Sequence, residues 1–161
     1  MEQGTKLVGY YPGAIGEVTR LHATYYARHW GLDLSFEAQV GRELAEFIER
    51  ADPARDLFLA ATDDDGLAGC VALDGSFDEG ARLRWFIVDP GWHGGGLGRK
   101  LLSHCLEFAR QAGHRKVFLW TFAGLDAARR LYVEAGFTLT EEHEVAQWGR
   151  SIVEQKFEWH L

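Results

Sequence analysis

The sequence predicts an α/β protein with a mixed sheet of about seven strands and four helices. Apolar residues recur at helical spacing in four segments, and short runs rich in β-branched and aromatic residues separate them. Near the middle of the chain a strand, a helix and another strand follow one another. Because such a crossover makes its two strands parallel, we expect strands four and five to be parallel and the other pairs antiparallel.

Seven runs have strand character because they are apolar or alternating and end at turn residues. Their predicted bounds are 6–11, 56–62, 67–74, 81–88, 115–121, 137–145 and 150–159. The second and third strands are joined by Asp63-Asp64-Asp65-Gly66, a hairpin turn. Three adjacent aspartates could also indicate a metal site. Since successive turn residues point in different directions, we predict a solvated turn.

Four segments place apolar side chains on one face of a helix. Their predicted bounds are 15–29, 36–48, 97–112 and 125–135. Ser35 is the predicted N-cap of the second helix, which Asp52-Pro53 stops. Gly31, Gly113 and Gly136 are predicted to end the other three, because glycine adopts the left-handed conformation that closes a helix.

Composition and charge exclude several classes of protein. A chain of 161 residues fits one domain, predicted over residues 1–161. The net charge of −7, with scattered Lys and Arg, argues against a nucleic-acid partner. We recognise no leader peptide and no apolar run near the roughly 18 residues that span a bilayer, so we expect a cytoplasmic protein without a membrane partner. Cys70 and Cys105 lack metal-ligand spacing, so we predict buried thiols and no metal.

A glycine-rich turn joins the fourth strand to the third helix. Its four glycines, between positions 94 and 98, allow positive φ and so can turn several backbone N–H groups toward one point. The helix start adds unpaired donors and a positive dipole end, and such a concavity binds phosphate. The spacing fits neither G-x-G-x-x-G, because position 99 is Arg, nor G-x-x-x-x-G-K-[ST], because Leu101 follows Lys100.

This turn resembles motif A of the GNAT N-acetyltransferases, [Gln/Arg]-x-x-Gly-x-[Gly/Ala] at the start of the helix after the fourth strand. The sequence here is His93-Gly94-Gly95-Gly96-Leu97-Gly98, with His93 in place of Gln or Arg. The resemblance implies a GNAT-type domain whose co-substrate, acetyl-CoA, bonds into a gap between strands four and five. The implied cofactor-binding residues are Phe86, Ile87, Val88, His93, Gly94, Gly95, Gly96, Leu97, Gly98 and Arg99.

Residues 127–137 resemble motif B of the same family, A-x-x-Leu-Tyr-x-x-x-Gly-Phe. The family's Tyr stands near the coenzyme A sulfur, so Tyr132 is the implied acid for the departing thiolate, and an ordinary phenol pKa near 10 suits an alkyl thiol. Tyr132 could instead be only a core aromatic. The Asn often found seven positions earlier is Leu125 here, and we expect Thr121 or the backbone around Phe122 to replace its contact.

The general base stays open at this stage. Many relatives use a Glu on the fourth strand, but residues 84–87 contain no carboxylate. A water chain, or an acceptor that arrives neutral, would need no base. The remaining candidates are Glu17, His22, Glu142, His143 and Glu144.

The resemblance places the acceptor against the loop between the first two helices and the loop between the last two strands. Tyr25, Trp30, Asp33 and Trp148 are the implied substrate-binding residues, with Asp33 holding an ammonium group. The aromatics could instead pack a small core. The implied acceptor is a primary amine of a small molecule or a protein, and dimers are common in the family, which leaves a homodimer open.

Residues 120–125 and Trp148-Gly149 further resemble acetyltransferase domains fused to MarR-type winged-helix regulators. We recognise no winged helix, so we predict no regulatory DNA contact. The resemblance predicts an acetyl-CoA-dependent N-acetyltransferase in which the amine attacks the thioester directly. The alternative is a non-catalytic acyl-CoA-binding module, which the missing fourth-strand carboxylate, His93 and Leu125 favour.

Overall fold

The computed structural model describes residues 4–161, in which one sheet carries all the strands. The strands are β1 (Lys6–Val8), β2 (Leu57–Asp63), β3 (Gly66–Asp74), β4 (Ala81–Val88), β5 (Lys116–Phe122), β6 (Thr138–Gln147) and β7 (Arg150–His160). The helices are α1 (Ala14–Trp30), α2 (Leu34–Arg50), α3 (Leu97–Gln111) and α4 (Asp126–Ala135), with a short 3-10 turn over Pro90–Trp92.

The sheet has the order β1-β2-β3-β4-β5-β7-β6. Strands β4 and β5 are parallel, and the other neighbours are antiparallel, which confirms the predicted fold class. The parallel pair is short: β4 and β5 pair only at Ala81–Val117 and Arg82–Phe118. Beyond these positions the two strands diverge and leave a gap inside the sheet.

The helices cover both faces of the sheet. Helices α3 and α4 enclose one apolar cluster, which includes Leu101, Cys105 and Phe157. Helices α1 and α2 enclose the other, which includes Leu44 and Cys70. Both cysteines are free and buried, as predicted. The gap between β4 and β5 therefore connects two otherwise separate layers.

Several predicted boundaries move for local reasons. Asp33, not Ser35, is the N-cap of α2, because its carboxylate accepts a hydrogen bond from the Ser35 N–H at 3.0 Å. Strand β1 ends at Val8, where its pairing with β2 ends, rather than at residue 11. Strand β6 begins one residue late, because the Phe137 N–H donates to the Tyr132 carbonyl and closes α4.

The hairpin turn between β2 and β3 is confirmed. Asp63 pairs with Gly66, and the Asp63 carboxylate accepts a hydrogen bond from the Asp65 N–H at 2.8 Å. Within residues 4–161, no three side chains of His, Cys, Asp or Glu come together as metal ligands would. Over the same residues, no helix has both the length and the apolar character that crossing a bilayer requires.

Candidate active site

A bulge in β4 sits at the gap. The register between β3 and β4 shifts by one residue, and Trp85 takes a positive φ of 46°, an unusual conformation for a side chain of this size. As a result Leu83 packs with the α3 and α4 cluster, whereas Trp85 packs with the α1 and α2 cluster. The bulge is positioned beside the widening gap, where strain and free backbone groups commonly mark a functional site.

A cleft of about 580 Å³ lies beside the glycine-rich turn, and we call it the glycine-turn cleft. Gly94 and Gly96 have φ of 83° and 84°, and Gly96 directly precedes α3. A Cβ on Gly98 would lie 3.0 Å from Leu131 Cδ1, so this glycine lets α3 approach α4 closely. The predicted cofactor-binding residues that line the cleft are Phe86, Ile87, Val88, His93, Gly94, Gly96, Leu97, Gly98 and Arg99. Gly95 does not line it.

The side chains around the turn have defined partners. His93 Nε2 lies 2.8 Å from the Val88 carbonyl oxygen. Because a carbonyl only accepts, this nitrogen carries the proton, and the ring ties the turn to the end of β4. Arg99 pairs with Glu134 at 2.8 Å on the surface. Arg130 of α4 also lines the cleft and adds a cation that the sequence analysis did not identify.

A second cavity, of about 370 Å³, occupies the gap itself, and we call it the splay cavity. It is lined by β4, β5, β7, the facing sides of α1 and α2, part of α4, and the turn between β6 and β7. The residues that line both the splay cavity and the glycine-turn cleft are Tyr26, Phe86, Leu125 and Ala128. The two spaces therefore meet across the sheet.

The four implied substrate-binding residues do not share one location. Trp148 lines the splay cavity, and its indole N–H donates to Gln39 at 2.9 Å. Tyr25 and Trp30 line the glycine-turn cleft instead, and their contact with the acceptor stays a prediction. Asp33 lines neither space, and its carboxylate caps α2. Its contact with an ammonium group stays a prediction.

Tyr132 is buried and lines the splay cavity. Its ring centroid lies 6.0 Å from that of Phe86 and 5.7 Å from that of Phe137. Burial raises its pKa above the ordinary phenol value, with smaller contributions from Tyr26 and Cys105. The phenol therefore stays protonated, although its pKa lies further above that of a thiol than the sequence analysis assumed.

His22 is the one base candidate from the sequence analysis that lines the splay cavity. Its Nδ1 lies 2.8 Å from the Val18 carbonyl oxygen, so Nδ1 carries the proton and the lone pair of the neutral ring is on Nε2. Burial lowers the pKa of His22 to about 4, and the ring is neutral near pH 7. The other four candidates, Glu17, Glu142, His143 and Glu144, line neither space.

Three charged residues of the splay cavity were missed by the sequence analysis. Glu154 of β7 lines the cavity and is 3.2 Å from His143 Nε2. Arg82 and Arg84 of β4 also line it. Two arginines inside an otherwise apolar strand were a signal in the sequence that could have identified them. Thr121 and Phe122, which we expected near the cofactor arm, both line this cavity.

The sequence is similar to those of known acetyltransferases. The model of the acetyltransferase (GNAT) family matches residues 17–137. An uncharacterised N-acetyltransferase of Schizosaccharomyces pombe is 32% identical over 120 residues, which cover 73% of each chain. The mycothiol acetyltransferase of Thermobispora bispora is 39% identical over 100 residues, but the match spans only 31% of that longer protein.

Solved structures share the fold. A Salmonella typhimurium protein described as an acetyltransferase, solved with its cofactor acetyl-CoA, superimposes with a TM-score of 0.78. The match covers 98% of this chain and 94% of that one, at 20% sequence identity. At this identity the likeness supports the architecture rather than any residue's role.

Proposed function

The chain belongs to the acetyltransferase (GNAT) family, and we propose that it transfers an acetyl group from acetyl-CoA to a primary amine by direct attack on the thioester. One observation carries this proposal: the glycine-turn cleft and the splay cavity meet at Tyr26, Phe86, Leu125 and Ala128. A cofactor in the first space would reach the second at these residues, through the gap that β4 and β5 leave open.

The glycine-turn cleft suits the phosphates and the pantetheine arm. Positive φ at Gly94 and Gly96 lets the turn present backbone N–H groups, and the start of α3 adds its unpaired donors. Arg130 supplies positive charge at the same cleft. The backbone of Phe86 and Val88 borders the gap where β4 lacks a strand partner on the β5 side, so it can bond to amides of the arm.

The residues that line the splay cavity suit the transfer of the acetyl group from the thioester to the amine. Acetyl-CoA supplies a thioester whose carbon–sulfur bond breaks as the amine nitrogen bonds to the carbonyl carbon. His22 Nε2 is free to take the proton that the amine loses, since Nδ1 is held by Val18. Tyr132 is protonated and can donate to the departing sulfur. Backbone N–H groups at the β4 bulge are our candidates for stabilising negative charge on the carbonyl oxygen.

The turnover of the Tyr132→Phe variant tests the assignment of Tyr132 as the acid for the departing sulfur. Release of free thiol from acetyl-CoA is measured with a panel of primary amines. We expect kcat to fall by about tenfold or more while the Kd for acetyl-CoA is nearly unchanged, since the hydroxyl acts only in the transition state. Tyr10→Phe, at an exposed tyrosine that lines neither space, is the matched control. Equal kcat for wild type and Tyr132→Phe would remove Tyr132 from the mechanism.

A further inference from the structure

Arg82 holds an unusual position in the splay cavity. It pairs with Phe118 at the last position before β4 and β5 diverge, so it stands at the closed end of the gap. The cavity's charged residues are Arg82, Arg84 and Glu154, two cations and one anion, in a protein whose net charge is −7. Because Glu43 pairs with Arg84, the charges that an acceptor would meet in the cavity are those of Arg82 and Glu154.

The Arg82 side chain differs from that of its neighbour Arg84 in its contacts. Arg84 forms an ion pair with Glu43 and stacks on the Trp85 ring at 4.2 Å. Over the part of the chain that the structure describes, the Arg82 side chain makes no hydrogen bond or ion pair, and its buried Nε has no acceptor. Its guanidinium lies 5.8 Å from the Phe77 ring centroid, which supplies no acceptor.

The charge on Arg82 nevertheless persists. Burial, helped by the neighbouring Arg84, lowers its pKa to about 10, and the more distant carboxylates of Glu43, Asp74 and Glu154 act in the opposite direction. The guanidinium is therefore protonated at neutral pH. Arg82 as a whole is half-buried, but a buried Nε–H without an acceptor is costly, and native proteins rarely retain such a group without a partner. Arginine's planar fork is suited to a carboxylate, which accepts two parallel N–H bonds.

We propose that the acceptor is an amino acid or a close analogue, whose carboxylate binds Arg82 while its amine is acetylated. The inference rests on the proposed function and names the substrate class of that site. The cavity's aromatic walls, with Trp120 and Trp148 among them, suit the rest of such a molecule. An acceptor whose only charge is its ammonium group would leave Arg82 unpaired and bring a second cation near it.

Matched acceptors test the proposal. Thiol release is measured with tryptophan, phenylalanine, lysine and glutamate, and with the α-amide and the decarboxylated amine of each. We expect kcat/KM for the best acid to exceed that of its amide and amine by about tenfold or more. Arg82→Gln should abolish this preference, and Arg82→Lys should retain part of it. Arg42→Gln, at an exposed arginine of α2 outside both spaces, should behave as the wild type.

A binding experiment separates this proposal from the proposed function. Wild type loaded with coenzyme A is titrated calorimetrically with the N-acetyl derivatives of the same acids and of their amides. Binding of an acid in preference to its amide, lost in Arg82→Gln, supports the proposal even if the best acceptor is outside the panel. Equal binding of both, or binding of neither, overturns it. If the proposed function were wrong, the wild type would instead fail to bind acetyl-CoA.

Discussion

His22 shows how one buried residue couples chemistry to stability. The ring is neutral in the folded protein because burial lowers its pKa from 6.5 to about 4. The unfolded chain therefore binds more protons than the folded chain between these two values. The contribution of the neutral His22 ring to the free energy of unfolding is therefore fully present above about pH 6.5. It is lost as the pH falls toward 4, because protons then bind preferentially to the unfolded chain.

Replacing His22 should make the protein less sensitive to acid. In His22→Leu we expect the fall in unfolding free energy between pH 6.5 and 4 to be smaller by up to about 1.4 kcal/mol per pH unit. We also expect kcat to fall by about tenfold or more, because Leu cannot accept a proton. Urea unfolding across this pH range and thiol release at pH 7.5 measure the two effects.

His104 provides the matched control for this experiment. It is exposed on α3, so His104→Leu should keep the wild-type pH dependence and the wild-type kcat. A His22→Leu variant whose pH dependence matches that of the wild type would contradict the neutral state of His22. Unchanged kcat would remove His22 as the base, whatever its effect on stability.

The roles and surroundings of individual residues were the least predictable from the sequence. The motif pointed to Tyr132, but its elevated pKa depends on packing that only the fold supplies. The sequence favoured Ser35 as the α2 cap, yet the Asp33 carboxylate caps this helix. Arg82 and Glu154 come from strands far apart in sequence, and only the strand order brings them to one cavity.

Among the elements, the glycine-rich turn was the most predictable. Its conformation follows from local constraints: Gly94 and Gly96 have positive φ, and a helix begins directly after them. Its proposed contact with the cofactor phosphates depends on that conformation. A single glycine substitution in this turn should therefore weaken acetyl-CoA binding while the protein still folds.

Gly96→Val should weaken acetyl-CoA binding by about tenfold or more. A β-branched residue disfavours φ near 84° by roughly 1–2 kcal/mol and would also obstruct a phosphate. Calorimetry measures the affinity, and thermal unfolding measures the strain. Gly95→Ala is the folding control, because Gly95 lacks positive φ and its added Cβ would meet only the Trp92 carbonyl at 3.6 Å. Wild-type affinity in Gly96→Val would mean that the phosphates bind elsewhere.

The β4 bulge was not predictable. The segment from Trp85 to Val88 is uninterrupted and apolar, so alternation could not show that the side chains change face at Trp85. The bulge depends on pairing with β3, a contact between residues well separated in sequence. Periodicity reports local structure, whereas a register shift is a property of two strands together.

At the scale of the whole molecule, most of the architecture was predictable. Helical spacing and strand runs were sufficient for four helices and seven strands, and the crossover fixed the parallel β4–β5 pair. The place of β7 between β5 and β6 was not predicted, because it depends on long-range pairing. The single domain over residues 1–161 and the homodimer stay predictions.

The central claim is that the glycine-turn cleft binds acetyl-CoA and delivers its acetyl group through the gap to the splay cavity. Calorimetric titration of the wild type with acetyl-CoA, with an adenosine nucleotide as control, tests it most directly. We expect micromolar affinity for acetyl-CoA and weaker binding of the nucleotide, which lacks the pantetheine arm that would fill the gap. Absence of binding by acetyl-CoA and by longer acyl-CoAs would contradict the account.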